Sequence, residues 1–361
     1  MTSSRIIPII FLGVGNIGGT LLRQILNSSD AITRRTGLLL TPVALADVSG
    51  VLLDPDGLPE ATLYAALETV TGGGLLEAIS GIQPLESVTA ALHPDIIVAD
   101  MTATPKTRPT LLAAMEAGCG IVLANKIPLA ADWHEARAFF EYPNLCYECT
   151  VGAGLPVIDT LHTLLDTGDR VTKIEGCLSG TLGYLCTELE RETPYSSALA
   201  YARAQGYTEP DPRQDLSGKD VARKALILAR TAGWPLAESS LSVESLYPQS
   251  LADISVKDFM TEARTLDEQY AARVGEARRS GRVLRYVAQV GPEGGTVGLA
   301  AVERDGPLGS LRGPANYVAL HTERYNRSPL VISGPGAGKQ VTAAGVMGDI
   351  IKLASQQIGE S

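Results

Sequence analysis

Residues 6–18, IIPIIFLGVGNIG, decide the fold. An apolar run of strand length ends in Gly13, Gly15 and Gly18 at G-x-G-x-x-G spacing, and the helical pattern NIGGTLLRQILN follows at once. The strand-to-helix context makes this spacing informative. Gly13 permits the tight turn, Gly15 lets a pyrophosphate approach the backbone, and Gly18 allows the helix to pack closely. Asn16 and Ile17 open the helix, whose N-terminus carries positive potential suited to phosphate. Gly13, Gly15, Asn16, Ile17 and Gly18 are therefore the expected dinucleotide-binding positions.

Outward from this turn, strand-like runs TPVALAD, DIIVADM, GIVLAN and LCYECTV alternate with helical stretches such as RPTLLAAMEAG. Such alternation predicts an α/β domain, a Rossmann-type doubly wound parallel sheet, over residues 1–150. Residues 54–81 read as a less regular excursion with a turn at 71–74. From Val151 the texture changes. A glycine-rich start turns helical, and the runs IEGCLSG, RVLRYVAQV, TVGLAAVE and YVALHTERYN predict a mixed or antiparallel sheet. This second, α+β domain covers 151–334 and is expected to bind substrate and carry catalysis. The tail 335–361 holds a helix with small residues Ala343, Ala344, Gly345 and Gly348, and is expected to return and pack on the first domain.

The chain has 361 residues, 45% of them hydrophobic, and a formal net charge of -10. It is long enough for two domains, and it lacks the clustered Lys and Arg that nucleic acid requires. No leader pattern and no apolar run of membrane-spanning length occurs, so small-molecule partners and a cytoplasmic location are expected. Five cysteines, an odd number, point to reduced thiols. Cys146 and Cys149 form a C-x-x-C, but no second Cys or His pair lies near for zinc, and the expected strand would point the two to opposite faces.

Asp47 ends the second strand, where a carboxylate accepts hydrogen bonds from the adenosine ribose and favours NAD over NADP. No Arg or Lys follows in VSGVLLD. Arg34 and Arg35, in a stretch 28–37 read as an insertion, keep NADP open.

Residues 206–224, GYTEPDPRQDLSGKDVARK, gather Glu209, Asp211, Asp215 and Asp220 with Lys224. Ser217 reads as a helix cap with Asp220 as its capping-box partner. On the helix that follows, Lys224 falls at the edge of the apolar stripe Val221, Ala225, Leu228 and leans toward the core. An isolated Lys–Asp pair at i,i+4 is most simply structural and worth a few tenths of a kcal/mol. The preceding carboxylates, in a loop stiffened by Pro210 and Pro212, point instead to a site that binds an amine and moves a proton. Lys126, at the carboxyl end of a predicted strand, is a second candidate cation.

In chain order, the glycine turn, Asn125-Lys126 and the segments 148–158, 174–184, 206–228 and 334–354 resemble homoserine dehydrogenase. The resemblance implies interconversion of L-aspartate 4-semialdehyde and L-homoserine by hydride transfer with NAD or NADP, in the biosynthesis of threonine, methionine and isoleucine. It makes Lys224 the proton donor and Lys126 a second cation near substrate and cofactor. Glu209, Asp215 and Asp220 would hold the substrate's ammonium, with Gly180 and Thr181 near the substrate. Thr102 would lie at the nicotinamide end, and Gly336 in a backbone loop closing over the cofactor. Glu148 and the carbonyls of Val151, Ala153 and Leu155 would hold a monovalent cation, sodium, and the protein would be a homodimer that dimerises through residues 151–334. Where the family often has a second lysine, this sequence has Ile127.

The stretch 334–339 is not a P-loop, because Ser333 stands where the first glycine belongs and Gln340 where Ser or Thr must bind magnesium. His162, one turn from Ile158 and Leu165, reads as a packing residue. The alternatives are a nicotinamide-binding sensor without catalysis and a semialdehyde dehydrogenase using Cys119 or Cys177, for which no partner histidine is evident. No aspartate kinase portion or regulatory module is expected, and hence no threonine feedback through one.

Overall fold

The computed structural model describes residues 4–359. They divide into two compact units, one running to Gly154 and resuming at Gly338, the other Leu155–Ala337.

The first unit is built on six strands: β1 (Arg5–Leu12), β2 (Leu38–Asp47), β3 (Gly50–Leu53), β4 (Ile97–Asp100), β5 (Gly120–Leu123) and β6 (Leu145–Cys146). Their order is β3-β2-β1-β4-β5-β6, parallel except for β3, which turns back on β2. The chain winds outward from β1 to β2 and then resumes on its other side at β4, so the strand order reverses beside β1. Such switch points are where doubly wound sheets bind ligands. Ile7, Ile9 and Phe11 of β1 share a core with Leu21, Leu22 and Ile25 of the helix Asn16–Thr36, and with Val346, Ile350 and Leu353 of the helix Lys339–Gly359. Each such buried side chain contributes about 1.5–3 kcal/mol. The C-terminal helix thus packs on the sheet from the far end of the sequence. At Gly345 an added Cβ would lie 2.5 Å from Cys149 Sγ, so the small residue is required there, whereas Gly348 faces open space.

Three local expectations change. Residues 28–37 are no insertion: the helix Asn16–Thr36 continues through them to Gly37, which ends it in a left-handed conformation at φ 75°. Arg34 and Arg35 therefore sit in its last turn, about 30 Å along the axis from the glycine turn. The stretch 54–81 contains an ordered helix, Glu60–Thr71, and a 3₁₀ turn, Leu76–Ala78. LCYECTV is strand only at Leu145–Cys146, because β5 pairs with it only through Ile121 and Val122. Cys149 lies in the 3₁₀ turn Glu148–Thr150.

The second unit carries β7 (Val171–Cys177), β8 (Leu241–Val243), β9 (Arg282–Gly291), β10 (Gly294–Glu303), β11 (Ala315–Thr322) and β12 (Leu330–Pro335), in the order β12-β11-β7-β9-β10-β8. Only β8 runs parallel to its neighbour. Helices Gly180–Glu190, Lys219–Thr231 and Asp267–Arg279 pack on β9, whose Leu284, Tyr286, Ala288 and Val290 are buried. IEGCLSG is strand only to Cys177. Ser179 then caps a helix by accepting a hydrogen bond from the Leu182 N–H at 3.2 Å, so Gly180 and Thr181 occupy a helical first turn.

Candidate functional site

The glycine turn in the first unit divides its work among three residues. Gly13 has φ 92°, and a Cβ there would come within 2.8 Å of Thr102 Cγ2. A Cβ on Gly18 would lie 2.0 Å from the Gly13 carbonyl oxygen. Those two glycines are demanded by the fold. Gly15 meets nothing within 4 Å, and it begins the helix without any side-chain cap. The backbone N–H groups of Asn16 and Ile17 fall in the first turn, where a helix offers no acceptor of its own and anions are favoured.

At the end of β2, Asp47 Oδ1 accepts from the Ser49 N–H at 2.7 Å and from its hydroxyl at 2.5 Å. Oδ2 accepts from the Leu76 N–H at 2.8 Å. The carboxylate is thereby fixed in place, and it anchors the segment that follows the helix Glu60–Thr71.

Beyond β4 and β5 lies a polar network whose hub sequence reasoning missed. Asp100, fully buried, accepts from the Thr102 N–H (2.9 Å), the Thr102 hydroxyl (2.7 Å), the Thr107 hydroxyl (2.6 Å) and Asn125 Nδ2 (3.0 Å). Asn125 also donates to the Thr104 carbonyl, and its Oδ1 accepts from the Ile127 N–H at 3.1 Å. Lys126 stands at the N-cap of the short helix Ile127–Ala130, its backbone held on both sides by these bonds. The signal for Asp100 was present: an acid ending an otherwise apolar strand.

In the second unit, Lys224 is only 11% exposed and its ammonium has two acceptors, the Leu178 carbonyl at 2.7 Å and Asp220 Oδ2 at 2.9 Å. A buried lysine with two of its three donors engaged is oriented, and one N–H is left for a ligand. The helix Lys219–Thr231 starts from Gly218, not from Ser217. Gly218 has φ 71°, and a Cβ there would lie 1.9 Å from the Tyr286 hydroxyl, so only glycine makes this turn. Ser217 Oγ donates to the Gln214 carbonyl and accepts from the Lys219 N–H at 3.3 Å, so it does satisfy one backbone donor of the first turn, while Asp220 pairs with Lys224.

Asp215 is brought against Thr181 and Glu209. Its Oδ1 accepts from the Thr181 hydroxyl at 3.2 Å and its Oδ2 from the Glu209 N–H at 2.8 Å. The single Thr181 hydroxyl proton is shared between Asp215 and the nearer Tyr207 carbonyl, which stands at 2.5 Å. Burial raises the Asp215 carboxyl above its ordinary value; these two donors oppose the shift, and the Glu209 and Asp220 charges add to it. Gly180 is packed against Pro314, which stands 3.1 Å from where its Cβ would be.

Gly336 follows β12, and a Cβ there would overlap the Asn316 amide at 1.8 Å. That amide, fully buried, has no hydrogen-bond partner. Glu148 and Val151 are buried, and Ala153 adopts a left-handed φ of 57°, uncommon for a residue with a Cβ. The Leu155 carbonyl, at the start of the second unit, accepts from the Val157 N–H at 2.8 Å. All five cysteines are buried and none is in a disulfide among the described residues. Burial pushes the Cys119 thiol up to about 11 and Cys177 to about 12, opposite to what an activated nucleophile needs.

A glycine turn at the switch point of a doubly wound sheet in one unit, and a carboxylate-held lysine in the other, define the class: a two-unit protein whose first unit has the Rossmann-type fold and whose second is α+β. The model of the family described as homoserine dehydrogenase matches residues 156–351. The bifunctional aspartokinase/homoserine dehydrogenase 2, chloroplastic, of Zea mays is 36% identical over 367 residues, which cover 98% of this chain and 39% of that protein. A homoserine dehydrogenase of Paracoccidioides brasiliensis is 40% identical over 274 residues, 71% of this chain and 74% of that protein. Among solved structures, a hyperthermophilic archaeal homoserine dehydrogenase in complex with NADPH is 24% identical with a TM-score of 0.72, over 97% of this chain and 98% of that one. The chain belongs to the homoserine dehydrogenase family. It spans about two fifths of the length of the bifunctional relatives.

Proposed function

We propose that the chain interconverts L-aspartate 4-semialdehyde and L-homoserine with a nicotinamide cofactor. The observation that carries this reading is Lys224, buried and held by Leu178 and Asp220 in the same unit as the Asp215–Glu209–Thr181 cluster. When bound, the cofactor supplies hydride to the aldehyde carbon. Lys224 gives a proton to the aldehyde oxygen, which completes the alcohol, and takes it back in the reverse direction. Glu209, Asp215 and Asp220 grip the substrate's ammonium, to which only anionic or carbonyl acceptors are complementary. Gly180 and Thr181 position the substrate, the latter through its bond to Asp215. Lys126 is a second cation, fixed by Asn125.

For the cofactor, Gly13, Gly15, Asn16, Ile17 and Gly18 cradle the pyrophosphate, Thr102 lies at the nicotinamide end, and Gly336 belongs to the loop that closes over it. Asp47 faces the adenosine ribose. A carboxylate fixed in place by three donors opposes a 2′-phosphate, and Arg34 and Arg35 lie at the far end of their helix, which favours NAD. A monovalent cation, sodium by the family's pattern, is held by Glu148 and the Val151 and Ala153 carbonyls, to which the resemblance adds Leu155; oxygen ligands suit a hard cation. The units keep the assigned roles of dinucleotide binding, and of substrate binding, catalysis and dimerisation. The protein is a cytoplasmic homodimer; buried thiols outside any disulfide fit a reducing compartment. Among the described residues no helix is long and apolar enough to cross a membrane.

The test follows loss of reduced-nicotinamide absorbance with aspartate 4-semialdehyde, using NADH and NADPH in parallel. Wild type is expected to turn over, with NADH preferred, and Lys224→Ala to lose about 10²–10⁴ in kcat. Folded wild type that turns over neither cofactor defeats the reading.

A further inference from the structure

Arg213 lies inside the segment that carries the substrate-gripping carboxylates, yet it points away from them. Its Nε and Nη2 fork onto Asp211 at 2.9 and 2.7 Å. Nη1 donates to three carbonyls of another segment, Leu251 at 3.2 Å, Ala252 at 2.6 Å and Ile254 at 2.7 Å. Its guanidinium carbon stands 5.4 Å from the centre of the buried Phe259 ring. Only 12% of the side chain is exposed.

Four carboxylates fall within residues 209–220, and ligand binding requires three of them, Glu209, Asp215 and Asp220, to stay close before any ammonium arrives. Their mutual repulsion opposes that arrangement, and the loop has little secondary structure of its own beyond the short helix Arg213–Leu216. On one side it is tied through Asp215 to Thr181. On the other, Arg213 neutralises the fourth carboxylate, Asp211, and bolts it to residues 251–254. Lysine could not do this, since one ammonium cannot span both a carboxylate and three carbonyls in a planar fork.

Resting on the proposed reaction, we propose that Arg213 is a positioning residue that fixes residues 209–215 so that Glu209 and Asp215 meet the substrate's ammonium. Arg213→Lys raises KM for aspartate 4-semialdehyde by about tenfold or more, leaves KM for the nicotinamide cofactor unchanged and changes kcat little, because the proton donor and the hydride path are untouched. Asp211→Asn, which breaks the same fork from its other end, reproduces that pattern. Arg213→Ala regains substrate affinity when free guanidinium is added, which a lost packing contact would not do.

Chymotryptic cleavage after the exposed Tyr207 supplies a readout without turnover: it quickens in Arg213→Lys, and the global melting temperature falls less than for a core substitution. An unchanged KM for the semialdehyde in both variants, or equal rises in the two KM values, overturns the proposal. If wild type fails to turn over, the reaction is wrong, and the cleavage comparison still decides the clamp: equal rates in wild type and Arg213→Lys overturn it.

Discussion

Asp100 and Asp215 are both carboxylates withdrawn from solvent near the ends of regular elements, and their surroundings differ in one respect. Asp100 has four donors aimed at it, all from residues 102–125 of its own unit. Asp215 has two donors and two neighbouring carboxylates, and its pKa is raised. A fully supplied buried anion organises backbone, here the turns that present Thr102 and Lys126. One left short of positive partners is ready to take a cation from a ligand. The same rule holds for backbone: the helix N-terminus at Gly15 lacks a cap, and there the dinucleotide is expected.

The comparison is broken most severely at its supplied end. Asp100→Ala leaves the Thr102, Thr107 and Asn125 donors in a buried pocket without their acceptor, so a loss of about 3 kcal/mol or more in unfolding free energy is expected from denaturant titration. A loss under about 1 kcal/mol would mean the hub is dispensable.

Asp215→Asn sharpens the other end. The amide can accept from the Glu209 N–H and donate to the Thr181 hydroxyl, whose proton goes to the Tyr207 carbonyl, so the fold should be kept. Because the folded pKa of Asp215 is raised, its ionisation costs stability as pH rises through that value, and the cost is absent below the ordinary carboxyl range. The variant is therefore expected to melt no lower than wild type at pH 7, with any advantage vanishing in acid. Its KM for the semialdehyde should rise about tenfold to a hundredfold through loss of a charged hydrogen bond. Lower stability at neutral pH would show that Asp215 is structural.

The mildest test compares two glycines. Gly15→Ala places a methyl in open space, so melting should stay within about 1 kcal/mol of wild type while calorimetry shows weaker NADH binding. Gly18→Ala collides with the Gly13 carbonyl and should lower stability itself. Equal effects of the two on binding and melting would remove the distinction between cradle and packing.

Much of this was readable beforehand where the cause is local. The strand, the glycine turn and the start of the helix, residues 5–27, follow from period and spacing, and the acid-rich segment 206–224 stood out as a candidate site. The failures share a cause. Ser217 looked like the residue that opens the helix, a place Gly218 takes, because nothing in the local sequence reveals Tyr286 pressing on Gly218. Residues 28–37 looked like an insertion because their polar pattern hides a helix that packs against the C-terminal helix Lys339–Gly359. Cys149 looked like strand because its short sheet partner and its contact with Thr342 are set from elsewhere.

The sequence by itself determined the alternation of strands and helices in the first unit, the glycine turn and the acid-rich inventory near Lys224, since each depends on neighbours within a few residues. Tertiary structure alone decided which acids are already satisfied. Asp211 is committed to a clamp whose other end lies 39 residues away, and Asp215 is held from 34 residues away, while Lys224 is oriented by a carbonyl 46 residues distant. Hydrogen-bond supply is a through-space quantity, and only the folded chain brings donors and acceptors together to set it.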